Sequence, residues 1–161
     1  MVADLRVDLV MSSAVATVSR STTIGELARV MTERGYSGLP VVEDGVLVGI
    51  VTETDVISHE INVSPPVYLT FLDAIFKLPW DDSDEELRRV LASTAGELMT
   101  EDVVTATPNM SIHEAATLMY TRKANPLPVV DDNGAVVGII SRSDIIRLIA
   151  ESEAAAVGTK G

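Results

Sequence analysis

A chain of 161 residues with 47% hydrophobic side chains can bury a core and is too apolar to default to disorder, and it holds no run near the ~18 apolar residues that cross a membrane. Its 24 acidic against 12 basic residues leave a net charge of −12, a field that repels a nucleic-acid backbone but lets a few local cations hold a small anion. The absence of cysteine excludes disulfides, thiolate catalysis and zinc–thiolate sites, and Met1-Val2-Ala3-Asp4-Leu5-Arg6 lacks the basic and apolar regions of a secretory signal, so a cytoplasmic location without membrane contact is expected.

In chain order, Val15-Ala16-Thr17 precede Thr23-x-x-Glu26, a capping box in which two side chains satisfy orphan amides at a helix start. Ile24, Leu27, Ala28 and Met31 follow at i, i+3, i+4 and i+7, which makes one apolar helix face. Pro40-Val41-Val42 reads as a strand, Glu43-Asp44-Gly45 as a hairpin turn, and Val46 to Val51 as a return strand whose apolar run predicts burial on both faces. A second helix is expected from about Thr54.

From about Ser58 to Gly96 the character changes. Ser64-Pro65-Pro66 breaks any continuing helix. Leu69, Leu72, Ile75 and Phe76 then have helical spacing, and Ser83-x-x-Glu86 is a further capping box ahead of Leu87, Val90 and Leu91. A helical linker is therefore expected over 59–96. Tyr68, Phe71, Phe76 and Trp80, four of the six aromatics, fall within it; they either pack on the rest of the chain or face a partner.

Beyond the linker the first part returns. Met11-Ser12 reappears as Met99-Thr100, 88 residues on, and Val15-Ala16-Thr17 as Val103-Val104-Thr105. Ile112, Glu114, Ala116, Met119 and Arg122 repeat Ile24, Glu26, Ala28, Met31 and Arg34. Leu127-Pro128-Val129-Val130 repeats Leu39-Pro40-Val41-Val42, and after one inserted residue, Asn133, Gly138-Ile139-Ile140-Ser141 repeats Gly49-Ile50-Val51-Thr52. Five blocks in order establish a tandem duplication. The expected architecture is α+β: two β-α-β-β-α units at 1–58 and 97–150, too small to bury a core singly and so packed as a pseudo-twofold pair, with a flexible tail at 151–161.

Each unit ends in Gly-h-h-(Ser/Thr)-x-x-Asp, with h apolar: Gly49 to Asp55 and Gly138 to Asp144. These motifs, with Gly35-Tyr36-Ser37-Gly38-Leu39-Pro40-Val41-Val42 and Lys123-Ala124-Asn125-Pro126-Leu127-Pro128-Val129-Val130, resemble the cystathionine-β-synthase-type (CBS) domain family over roughly residues 9–58 and 97–149. The resemblance implies a Bateman module, a pair of repeats whose clefts bind AMP, ADP, ATP or S-adenosylmethionine as a regulatory ligand, with no cofactor required. It also implies a homodimer, and a stand-alone regulator that signals in trans to an unidentified protein target.

The residue chemistry suits such a ligand. A ribose presents two adjacent hydroxyl donors that a carboxylate can accept, and Asp55 and Asp144 lie three residues after Thr52 and Ser141 at strand-to-helix junctions. The alternative is that both aspartates only charge the first turn of a helix. Adenine needs a flat apolar slot, for which Tyr36, Gly38, Leu39 and Pro40, and Ala124, Pro126, Leu127 and Pro128, are candidate walls, with Thr17 and Thr105 at the rim. Arg142 stands where the first repeat has Glu53, and Lys123 where it has Gly35, so the second repeat's site is expected to be the better phosphate binder. His59 and His113 read as surface or capping residues, and Asp81 to Glu86 and Asp131-Asp132 as a solvated helix start and a turn. No phosphate-loop fingerprint and no nucleophile with a base at recognisable spacing occurs, so no catalytic residue is assigned. A ligand-free dimerisation module is the competing reading.

Overall fold

The structure, a computed structural model, describes residues 2–61, 68–71, 74–77 and 93–158, with side chains for 2–59 and 93–154. In the first repeat, helix α1 (Ile24–Arg34) is followed by strands β1 (Gly38–Glu43) and β2 (Val46–Thr52) and helix α2 (Glu53–Ile61). A hairpin of β3 (Tyr68–Phe71) and β4 (Ala74–Lys77) lies in the linker, and α3 (Ala95–Leu98) ends it. The second repeat has α4 (Ile112–Thr121), β5 (Leu127–Val130), β6 (Val136–Ile140) and α5 (Arg142–Gly158).

Local chemistry explains these elements. Both capping boxes form: Thr23 and Ser111 accept the Glu26 and Glu114 amides, and each glutamate accepts the cap amide in return. The two hydrogen bonds from Ser111, backbone first, hold the Glu114 carboxyl below the usual carboxylate range. β1 and β2 are antiparallel and turn through Asp44 (φ 50°) and Gly45 (φ 79°), two positive-φ residues that match the strand twist. β5 pairs with β6 in the same way, with a bulge at the equivalent position, Val129/Val130 against Val41/Val42.

Four expectations change. The first strand of each repeat shrinks to one parallel bridge, Val18 to Val41 and Ala106 to Val129, because the chain turns at once, through Ser19–Thr22 and Thr107–Met110. The stretch read as helical around Leu69 to Phe76 is instead an antiparallel hairpin. Tyr, Thr, Phe and Ile dominate it, and such β-formers override a helical spacing only four residues deep. The tail at 151–161, expected to be flexible, continues α5 to Gly158, since Glu and Ala are strong helix formers. The proposed capping box at Ser83 lies outside the described residues. The return strands are buried on both faces only in part: β2 is buried at Gly49–Val51 and exposed at Val46.

The cores show how the repeats combine. One cluster holds Ile24, Leu27, Met31, Leu39, Val41, Val51 and Val56 of the first repeat, closed by Ala95, with Leu98 and Met99 against it. The other holds Ile112, Ala115, Met119, Leu127, Val129 and Ile140 of the second, closed by Val7, with Val10 and Met11 against it. Val7 and Ala95 are equivalent by the 88-residue repeat, and each is fully buried in the opposite repeat's core. The leader segments are thus exchanged. Ser12 pairs with Ile139, and Thr100 with Ile50, through reciprocal backbone bonds of 2.9–3.1 Å. Met11 lies over Gly138 and Met99 over Gly49; a Cβ there would stand 2.2 and 2.4 Å from the methionine sulfurs. Burying a side chain like Val7 contributes about 1.5–3 kcal/mol.

Candidate functional site

The exchange leaves a cavity of about 510 Å³ between the repeats, within the size range of small-molecule sites. From the first repeat, Ser37, Ile50 and the start of α2, including Thr52, Glu53 and Asp55, line it. Thr100, Asp102, Val103 and Val104 of the second leader form another side. Arg122, Lys123, Ala124, Asn125, Pro126 and Arg142 of the second repeat face them.

The two aspartates differ oxygen by oxygen. Asp55 Oδ2 accepts the Thr52 N–H at 2.7 Å and the Thr52 hydroxyl at 2.8 Å, a capping arrangement for α2. Its Oδ1 has no protein partner among the described residues. Asp144 Oδ2 accepts from Ser141 in the same way, at 2.8 and 2.7 Å, but its Oδ1 takes a 2.5 Å bond from Arg147. Both carboxylates therefore serve a helix start, and they differ in that, among the described residues, only Asp144 has both oxygens engaged.

The loop before β5 is built to meet α5. Asn125 Oδ1 accepts the Arg142 N–H at 2.8 Å, while in the first repeat the Ser37 carbonyl accepts the equivalent Glu53 N–H at 3.1 Å. Lys123 adopts φ 50° where the first repeat uses Gly35 at φ 66°. A left-handed conformation on a residue with a Cβ is strained by of order 1 kcal/mol. Pro126 abuts Gly38 across the pair: a Cβ on Gly38 would stand 2.7 Å from its Cδ, so glycine is required there.

Of the residues selected from sequence, the structure brings together Thr52, Asp55, Ala124, Pro126 and Arg142 around this cavity. Ser141 and Asp144 do not line it. Leu39, Pro40, Leu127 and Pro128 are fully buried strand residues that do not line it, and the two leucines belong to the cores. Gly38 is buried beneath Pro126, Tyr36 packs on the first core, and Thr17 is exposed away from the cavity. Thr105 lines a separate hollow of about 280 Å³ beside Leu47 and Gly134. Arg142, expected to serve the site of its own repeat, lies instead in the cavity of Asp55. The sequence reading missed Ser37, Ile50, Thr54, Thr100, Asp102, Val103, Val104 and Asn125. The leader residues were not detectable, because the offset between copies is the same whichever repeat a leader packs on.

Among the described residues no group of three or more His, Cys, Asp or Glu is placed to hold a metal ion, and no helix is long and apolar enough to cross a membrane.

Comparison with known proteins places this geometry. The family model for the CBS domain matches residues 2–62 and 95–151. The uncharacterized protein MJ1426 of Methanocaldococcus jannaschii is 33% identical over 133 residues, 77% of this chain and 79% of that protein. The inosine-5'-monophosphate dehydrogenase of the same organism is 34% identical over 143 residues, but these span 88% of this chain and only 23% of the enzyme. Among solved structures, the CBS domain pair of protein MJ0100 in complex with 5'-methylthioadenosine and S-adenosyl-L-methionine has a TM-score of 0.67 at 26% identity, covering 92% of this chain and 98% of that one.

Proposed function

The chain belongs to the CBS-domain family, and from that premise we propose that it is a regulatory module that binds an adenosyl ligand between its repeats and signals in trans to a protein target. The observation that carries this reading is Asp55: a carboxylate pinned by Thr52 through one oxygen, with the other unpaired among the described residues, on the wall of a cavity large enough for a nucleoside. A ribose diol is the complementary donor. The candidate ligands are AMP, ADP, ATP and S-adenosylmethionine, and the MJ0100 pair, bound to two adenosyl compounds, supports the class. The role is binding rather than catalysis; the dehydrogenase it resembles is matched over less than a quarter of its length.

A thermal-shift series with adenosine, AMP, ATP and S-adenosylmethionine tests this. Ligand at about 100 times its dissociation constant stabilises by about 2.7 kcal/mol, and Asp55→Ala, weakening binding by about ten- to a hundredfold, is expected to cut the shift by about half or more without lowering the ligand-free melting temperature by a comparable amount. No shift with any adenosyl compound would leave the ligand-free dimerisation module as the better reading.

Self-association is part of the proposal. A groove between α4 and α5, lined by Met119, Tyr120, Ile145 and Ile146 together with Lys123 and Arg142, leaves Tyr120 83% and Ile146 66% exposed, a largely apolar surface for a second copy to cover. Light scattering is expected to give twice the 17.2 kDa chain mass; a monomer at micromolar concentration would remove this part.

A further inference from the structure

We infer that two copies of the chain associate head to tail, the α4–α5 face of each second repeat docking on the α1–α2 face of the other copy's first repeat. This deepens the self-association described above and rests on it. The two faces are equivalent by the duplication and unlike in chemistry. Around the second-repeat groove, of about 770 Å³, stand Tyr120, Thr121, Lys123, Arg142 and Ile146. The first repeat has Thr32, Glu33, Gly35, Glu53 and Ile57 at the same positions. Ile57 and Ile146 are 55% and 66% exposed, so each repeat carries an uncovered isoleucine on its second helix. Thr32, Glu33 and Glu53 are exposed as well.

The differences between the faces all run in one direction. One rim carries two cations, Lys123 and Arg142, and the other two carboxylates, Glu33 and Glu53. Glu33 meets Arg29 at 3.6 Å in an exposed pair, while Glu53, Lys123 and Arg142 form no ion pair among the described residues. Pairing like with like would gather the cations of both copies at one end of the dimer and the carboxylates of both at the other, and would set the two Tyr120 side chains on the same end. Head-to-tail pairing sets each cationic rim on an acidic one, and each Tyr120, 83% exposed, on a face that has the smaller Thr32. The net charge of −12 per chain sharpens the choice, because two copies repel overall and the contact itself must supply opposite charges. A twofold axis makes both contacts at once and covers both faces.

Two measurements on the ligand-free full chain test the orientation. The chain has no cysteine, so introduced thiols report the pairing without background. Ile57→Cys and Ile146→Cys, both at exposed positions, are treated with a short bis-maleimide separately and as an equimolar mixture. The mixture is expected to give cross-linked dimer in clear excess over either variant alone. Glu53→Lys is expected to raise the dimer dissociation constant about three- to tenfold at low salt, and adding Arg142→Glu to the same chain to restore it, because the charges of both rims are then exchanged. Like-with-like pairing predicts neither result, since Glu53→Lys would replace one like-charged contact by another. Either variant cross-linking to itself more than the mixture does, or Glu53→Lys leaving the dissociation constant unchanged, would overturn the head-to-tail orientation while leaving self-association intact. A wild-type monomer at micromolar concentration by light scattering would overturn both.

Discussion

The two repeats share one construction and differ where they meet the cavity. Equivalent residues fill their cores, equivalent boxes cap their first helices, and each closes its core with the other's leader. At equivalent positions, Gly35, Glu53, Asp55 and Ser58 of the first repeat stand against Lys123, Arg142, Asp144 and Arg147 of the second, and of these Glu53, Asp55, Lys123 and Arg142 line the cavity. Apolar positions cannot diverge without costing packing in two places at once, because the exchange makes each leader part of a foreign core. Polar positions at the cavity carry no such constraint. The duplication therefore supplies symmetry for folding, and its polar exchanges make the two sides of the cavity unlike.

The comparison breaks most visibly in the cores. Leu39→Ala and Leu127→Ala remove equivalent, fully buried side chains, and each is expected to cost about 2–5 kcal/mol in urea denaturation. If one costs several kcal/mol and the other almost nothing, the repeats are not mechanically equivalent. The exchanged contacts come next. Gly49→Ala and Gly138→Ala drive a methyl group into Met99 and Met11 and are expected to cost about 1–3 kcal/mol each. Adding Met11→Ala should recover part of the Gly138→Ala loss and none of the Gly49→Ala loss; rescue with the partners reversed would contradict the exchange.

A smaller effect is expected from acid titration. The Glu114 carboxyl is depressed by its bonds from Ser111, so its contribution is present above the unfolded carboxyl value and is lost as pH falls through the lower folded value. Glu114→Gln is expected to flatten the melting-temperature profile on the acid side only. An unaltered profile would show that this box contributes nothing beyond its geometry.

Much of this was legible in sequence, for a physical reason. Duplicated capping boxes, the Pro-Val-Val strands and the Gly-to-Asp motifs are local, and local chemistry forms the same element wherever it occurs. Leu39 and Leu127 illustrate what was not legible: an apolar residue inside a ligand-like motif reads equally as a wall or as core, and only packing decides. Arg142 illustrates the larger gap. Adjacency in sequence groups it with Asp144, while the crossing of two repeats delivers it to Asp55. The hairpin at Tyr68 to Lys77 shows the limit of periodicity, since a few apolar residues at helical spacing also satisfy a strand.

The central claim is that the two halves are unequal partners in one site. Titration of AMP into the wild type, Asp55→Ala and Asp144→Ala tests it directly. We expect Asp55→Ala to weaken AMP by about ten- to a hundredfold, the worth of a charge-assisted hydrogen bond, and Asp144→Ala to leave the affinity within about threefold, with one AMP bound per chain throughout. Equal losses from the two substitutions, or two equivalent AMP molecules per chain, would contradict the account.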